Sequence, residues 1–207
     1  MTTVATELVS RLKKLIRSPA PPMDEPCGFC GQRLQTDHRH MLDTTDWKMV
    51  CVCEVCAIIH VVQGRYRLVP QRQLFMEALR FPDGRWQEFA VPVSVAFFVN
   101  DSRRGGIVAY YPVAAGWMES TMLRMEAWNG LLADNPLLAG MSPDIEAFLV
   151  DRLTDPAQHF IVPMDTCFQL IGTIRKNWKG ICGGSEVTDA IRGFFVRLKA
   201  NATVCRS

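Results

Sequence analysis

The sequence predicts an α+β protein: a small four-cysteine, zinc-ribbon-like metal module followed by a mixed α/β domain. Three observations predict it. Five cysteines and two histidines fall between Cys27 and Cys56. Two almost wholly apolar runs, 93–99 and 106–111, flank a polar turn as the arms of a hairpin do. Beyond them, apolar residues recur at helical spacing in several segments. The 207 residues are 48% hydrophobic with a net charge of +2, enough for a sizeable core and too balanced for a dedicated nucleic-acid binder. Three units are expected: 1–22, an amphipathic helix and proline-rich linker; 23–72, the Cys/His module; and 73–207, the mixed domain.

In the first unit, Leu8, Val9, Leu12, Leu15 and Ile16 share one face of a helix over 7–17, and Pro19, Pro21 and Pro22 end it. No apolar stretch resembles a signal peptide or reaches bilayer length, so the expected location is cytoplasmic. Reduced, scattered thiols at Cys167, Cys182 and Cys205 suit that compartment. Cys167 and Cys182 read as core thiols.

The second unit carries the chemistry. Cys27 and Cys30 form one Cys-x-x-Cys pair, and Cys53 and Cys56 form another, with 22 residues between them. Each pair can turn two sulfurs toward one ion, and the loop can bring the pairs face to face. Zn2+ is the default ion for such a closed set; Fe, held as in rubredoxin, uses the same donors. His38, His40 and Cys51 are surplus donors: they could join a second site, replace one thiolate, or make hydrogen bonds around the first. Residues 49–53, 58–62 and 65–69 read as short strands, and 74–80 as a helical connector.

In the third unit, the hairpin arms lack polar alternation, so the sheet should be covered on both faces. A helix over 121–132 would align Met122, Met125, Trp128 and Leu132. Ser142, Pro143, Asp144 and Glu146 resemble a helix start, with Ser142 as N-cap. A strand over 160–163 leads to a helix over 165–175 capped by Asp165. The last helix, 186–200, turns Val187, Ile191, Phe194, Phe195 and Leu198 inward. Glu119, Asp165 and Arg175 could line a cleft, although Asp165 as a cap paired with Arg175 explains two of them more simply. His159 is isolated and reads as ordinary. There is no phosphate loop, nucleophile elbow or telling carboxylate pair, hence no catalytic signature.

These motifs also occur in a recognisable order. Cys27 with Cys30, His38 with His40, and Cys51, Cys53 and Cys56 precede Arg65-Tyr66-Arg67-Leu68-Val69-Pro70. Then come Ala96-Phe97-Phe98, Ala109-Tyr110-Tyr111-Pro112, Asp144-Ile145-Glu146-Ala147, Val162-Pro163-Met164-Asp165, and Trp178-Lys179-Gly180 followed by Gly183-Gly184. Together they resemble an uncharacterised bacterial family encoded beside high-affinity NiFe uptake hydrogenases. The resemblance covers the chain after about residue 24 and assigns no reaction. It implies a metal-bearing accessory protein that contacts a hydrogenase subunit or maturation factor. The alternatives are a rubredoxin-like redox protein serving hydrogenase metal centres, and a zinc ribbon that binds nucleic acid. For the last, Arg33, Arg39, Arg65, Arg67 and Arg72 would meet phosphates and Tyr66 or Trp47 would stack. Asp37, Asp43, Asp46 and Glu54 in the same module count against it.

Overall fold

The computed structural model describes residues 25–62, 64–113, 118–180 and 183–206. The helix expected over 7–17, its linker and Cys182 lie outside the described residues.

The module is a three-stranded antiparallel sheet with one helix. Strands β1 (Arg39–Asp43) and β2 (Lys48–Val52) form a hairpin, helix α1 (Glu54–Val61) follows, and β3 (Tyr66–Leu68) returns to the other edge of β1. The strand expected over 58–62 is therefore helical. Cys53, in extended conformation, caps the helix by accepting from the Cys56 amide, and Glu54 occupies the first turn, where the helix dipole favours an acid. This capped start outweighs the β preference of Ile58, Ile59 and Val61.

The second sheet has seven strands: β4 (Leu74–Met76), β5 (Val95–Asp101), β6 (Gly106–Pro112), β7 (Met118–Met122), β8 (Glu146–Asp151), β9 (Gln158–Pro163) and β10 (Thr203–Cys205). Their spatial order is β10-β4-β9-β8-β5-β6-β7, with only β10 and β4 parallel. The connector expected to be helical over 74–80 contains β4 instead, held between β9 and β10 with Phe75 and Met76 buried. Helices α2 (Asp83–Glu88) and α3 (Met125–Asp134) cover one face with a 3-10 turn, Pro136–Gly140. Helices α4 (Met164–Asn177) and α5 (Gly184–Asn201) cover the other. Alternation along β5 divides the core: Ala96 and Phe98 join Phe148, Trp128 and Leu131, whereas Val95, Phe97 and Val99 join Leu149, Leu170 and Phe195. The sheet is covered on both faces, as its apolar strands require. The five inward residues expected on the last helix are all buried.

Two further elements differ from expectation. Residues 118–122 are an edge strand paired with β6, and α3 starts only at Met125, leaving Met122 and Met125 exposed while Trp128 and Leu131 are buried. The helix start expected at Ser142 is a turn into β8. Asp144 takes a left-handed backbone (φ 67°) and accepts from the Ser102 amide at 2.7 Å and from Arg67 at 3.0 Å. Glu146 is fully buried and accepts from Arg72 at 2.6 and 2.7 Å and from the Ser142 amide at 2.8 Å. Both acids serve long-range contacts that local sequence does not announce. Those contacts also fasten the module to the larger sheet, because Arg67 lies on β3 and Arg72 just beyond it.

His159 on β9 stacks over Phe148, and burial, with Arg152 nearby, holds its pKa down to about 4. The unfolded chain therefore binds more protons than the fold between about pH 6.5 and 4, and stability falls as pH is lowered through that window. His159→Phe is expected to flatten this part of the stability profile, measured by denaturant titration at each pH; an unchanged slope would assign the dependence to other groups.

Candidate metal centre

The four paired cysteines come together. Their sulfurs all lie within 4.8 Å of one another. The first pair sits on a turn closed by the Gly31 amide donating to the Cys27 carbonyl at 2.9 Å, with Gly31 at φ 73°. The Gly28 amide donates to the Cys51 carbonyl at 2.8 Å, tying that turn to β2, and a Cβ at Gly28 would lie 2.5 Å from Val50 Cγ1. A side chain there would force Val50 to move, so close approach favours glycine. The second pair spans the start of α1, where a three-residue separation turns Cys53 and Cys56 to one side.

The spacing suits an ion. Tetrahedral coordination with metal–sulfur bonds of about 2.3 Å needs sulfurs about 3.8 Å apart. Cys30 Sγ and Cys53 Sγ are 3.8 Å apart. Amides already point at the sulfurs, as they do around bound thiolates: Cys53 N donates to Cys27 Sγ at 3.4 Å and Cys56 N to Cys53 Sγ at 3.5 Å. Burial pushes the Cys27 thiol up, but amides of Cys30, Cys53 and Phe29 outweigh it and hold Cys27 down to about 6. Burial and the neighbouring thiols push Cys56 up to about 12. A divalent ion at the centre of four thiols favours the thiolate form of each. All described cysteines are free thiols. The cluster could hold a metal ion, and both zinc and iron accept this donor set.

Cys51 does not join the four. Strand β2 ends at Val52, so Cys53 turns into α1 while Cys51 stays in register with His40 on β1. His38, His40 and Cys51 form a second group whose donor atoms also lie within 4.8 Å of one another. Met41, Val50 and Val52, on the other side of the hairpin, pack with Cys27 and Cys56. Alternation along the strands thus directs the two donor groups to opposite faces.

Glu119, Asp165 and Arg175, the residues expected to line a cleft, stand well apart along the backbone of the fold. Glu119 lies on β7, four strand positions from β9, or about 19 Å at the usual strand spacing. Arg175 is ten residues along α4 from Asp165, about 15 Å. Nor is Asp165 the cap: Pro163 occupies that position, and the Asp165 carboxylate instead meets the Thr166 amide and His40 Nδ1, the latter at 3.1 Å. The sequence placed His40 and Asp165 in separate units, and no local pattern signals a contact across 125 positions.

Three of the arginines considered for phosphate are committed elsewhere. Arg65 pairs with Asp43 at 2.6 Å, which holds that carboxyl down to about 2; Arg67 pairs with Asp144 and Arg72 with Glu146. No helix among the described residues is long and apolar enough to cross a membrane.

A family model described as a family of unknown function, DUF5947, matches residues 26–202. Comparison with curated proteins and with solved structures gives no match.

Proposed function

From a chain that belongs to the DUF5947 family, we propose a non-enzymatic accessory protein whose module, residues 23–72, binds zinc through Cys27, Cys30, Cys53 and Cys56 and docks on another protein. The observation that carries this reading is the gathering of four thiols within 4.8 Å of one another. The ion orders the module and holds α1 in place. That helix presents an apolar surface: Ile58 is 69% exposed and Val62 81%, with Val55 and Ile59 beside them. Exposed apolar residues in contiguous array mark protein contacts. The sequence resemblance makes a NiFe uptake-hydrogenase subunit or maturation factor the expected partner.

A rubredoxin-like iron protein is the second reading, favoured by one feature: Cys30 is exposed, so one edge of the cluster is open to an approaching redox partner. Metal analysis of the untagged protein from its native host separates the two. Zinc without colour supports the docking module; iron with a thiolate charge-transfer band replaces it with the redox reading.

The docking claim has its own test. Ile58→Asp with Val62→Asp is expected to weaken co-purification of a hydrogenase subunit by about 100-fold or more, since burial of each side chain is worth about 1.5–3 kcal/mol. Metal content should not change. Capture equal to that of the native sequence, or no capture by either with the hydrogenase genes expressed, would overturn it.

A further inference from the structure

We propose that His38, His40, Cys51 and Glu25 form a second site for a divalent transition-metal ion, on the face of the hairpin opposite the four-cysteine cluster. It is independent of the reading above, which leaves these residues unused.

The two histidines are arranged as ligands are. A metal-binding imidazole commonly donates from one ring nitrogen to a carbonyl or carboxylate, leaving the other for the ion. His38 Nδ1 lies 2.8 Å from the Gln35 carbonyl, which fixes Nδ1 as the donor. His40 Nδ1 lies 3.1 Å from Asp165 Oδ2. In a neutral ring held this way, Nε2 is the nitrogen that presents a lone pair to an ion. His38 Nε2 is buried and has no hydrogen-bond partner among the described residues, a state that costs free energy unless something binds there.

The remaining donors stand around that nitrogen. The ring centroids of His38 and His40 are 4.7 Å apart. Cys51 is the cross-strand neighbour of His40, so its sulfur emerges on the same face. Glu25 Oε2 lies 3.2 Å from Cys51 Sγ and 3.6 Å from His38 Nε2. The donor atoms of His38, His40 and Cys51 all lie within 4.8 Å of one another, the range open to ligands of one tetrahedral ion with bonds of about 2.0–2.3 Å, and Glu25 stands beside two of the three. Two imidazoles, a thiolate and a carboxylate suit zinc and also cobalt(II) or nickel(II).

The surroundings provide an entry path and a second layer. A polar cavity of about 590 Å³ opens beside His38 and His40, lined also by Asp165, Gln73, Gln169 and Asn201. Asp165 comes from α4 of the larger domain, so an ion held by His40 would be linked through Asp165 to that domain.

The test is zinc stoichiometry on the reduced, metal-stripped full-length chain reloaded with Zn2+, compared with His38→Gln/Cys51→Ser. The variant is expected to bind one equivalent fewer and to lose the nitrogen and oxygen donors from the zinc X-ray absorption spectrum. Equal stoichiometry in the two proteins overturns the site. The difference does not depend on the four-cysteine reading: if that alone fails, the native chain binds one equivalent and the variant none. Because the double variant could disturb the hairpin, Asp165→Asn supplies a milder probe. It should weaken the second equivalent by about 10–100-fold and leave the first unchanged, whereas equal affinity for both would also overturn the assignment.

Discussion

Cys56→Ser is expected to release the ion from the four-cysteine cluster and to unfold the module while the seven-stranded sheet persists. The buried apolar side chains of the module are few: Met41, Val52 and Ala57 cluster with Cys27 and Cys56, and Leu42 and Val69 are buried besides. Burying side chains of that kind contributes about 1.5–3 kcal/mol each for the larger ones. Ordering the backbone costs about 1–2 kcal/mol per residue, so a core this small cannot hold the segment alone. On the reading proposed above, a structural zinc would contribute about 10–16 kcal/mol of binding free energy toward folding. Amide hydrogen exchange should show protection lost over β1–β3 and α1 in the variant, or on adding a strong chelator, and retained over β5, β8 and β9. Full protection of the module after metal removal would sink the idea that the ion orders it.

Arg72→Ala is expected to cost about 3–5 kcal/mol, because it leaves a fully buried carboxylate without its cation. For a chain of this length that corresponds to a fall of roughly 6–20 °C in thermal midpoint. The pH dependence should shift as well. In the native protein, burial pushes Glu146 up, but Arg72 and the Ser142 amide outweigh it and hold the group below its ordinary value. Its contribution is then complete above the unfolded-state pKa and is lost as pH falls through the folded one. Without Arg72, the pull that lowers Glu146 is weakened and its pKa moves up, so the acid-side loss of stability begins at higher pH. Arg72→Ala with Glu146→Gln should recover much of the loss, since no charge is left unpaired. A midpoint within about a degree of the native one for Arg72→Ala alone would mean that the pair contributes little.

How much of this was legible in the sequence divides by range. The four clustered thiols were visible as two short pairs, and helix α5 and the β5–β6 hairpin were visible from local periodicity. The misreadings share a cause. Residues 58–62, 74–80 and 142–146 carry local preferences that their surroundings override: the cap from Cys53, the pairing of β4 with β9 and β10, and the arginines that claim Asp144 and Glu146. At the candidate site, His38, His40 and Cys51 could be named from spacing. Glu25 and Asp165 could not. Asp165 arrives through the docking of the module against α4, and Glu25 through the fold of the first cysteine turn onto β2; no sequence pattern encodes either contact.

The pairing of β10 with β4 bears on how the chain acquires its fold during synthesis. Strand β4 sits between β9 and β10, so the partners of Leu74 are Ile161 and Thr203, both far downstream. Residues 74–76 must therefore leave the ribosome with neither edge satisfied and wait until residue 205 has emerged. The module upstream has no such delay, because its strands, helix and thiols lie within 27–68 and can close as soon as they clear the exit tunnel. The nascent chain is thus expected to carry a finished N-terminal unit ahead of an open-edged sheet. Over that interval the exposed edge of β4, rather than the native surface, is what a chaperone would meet.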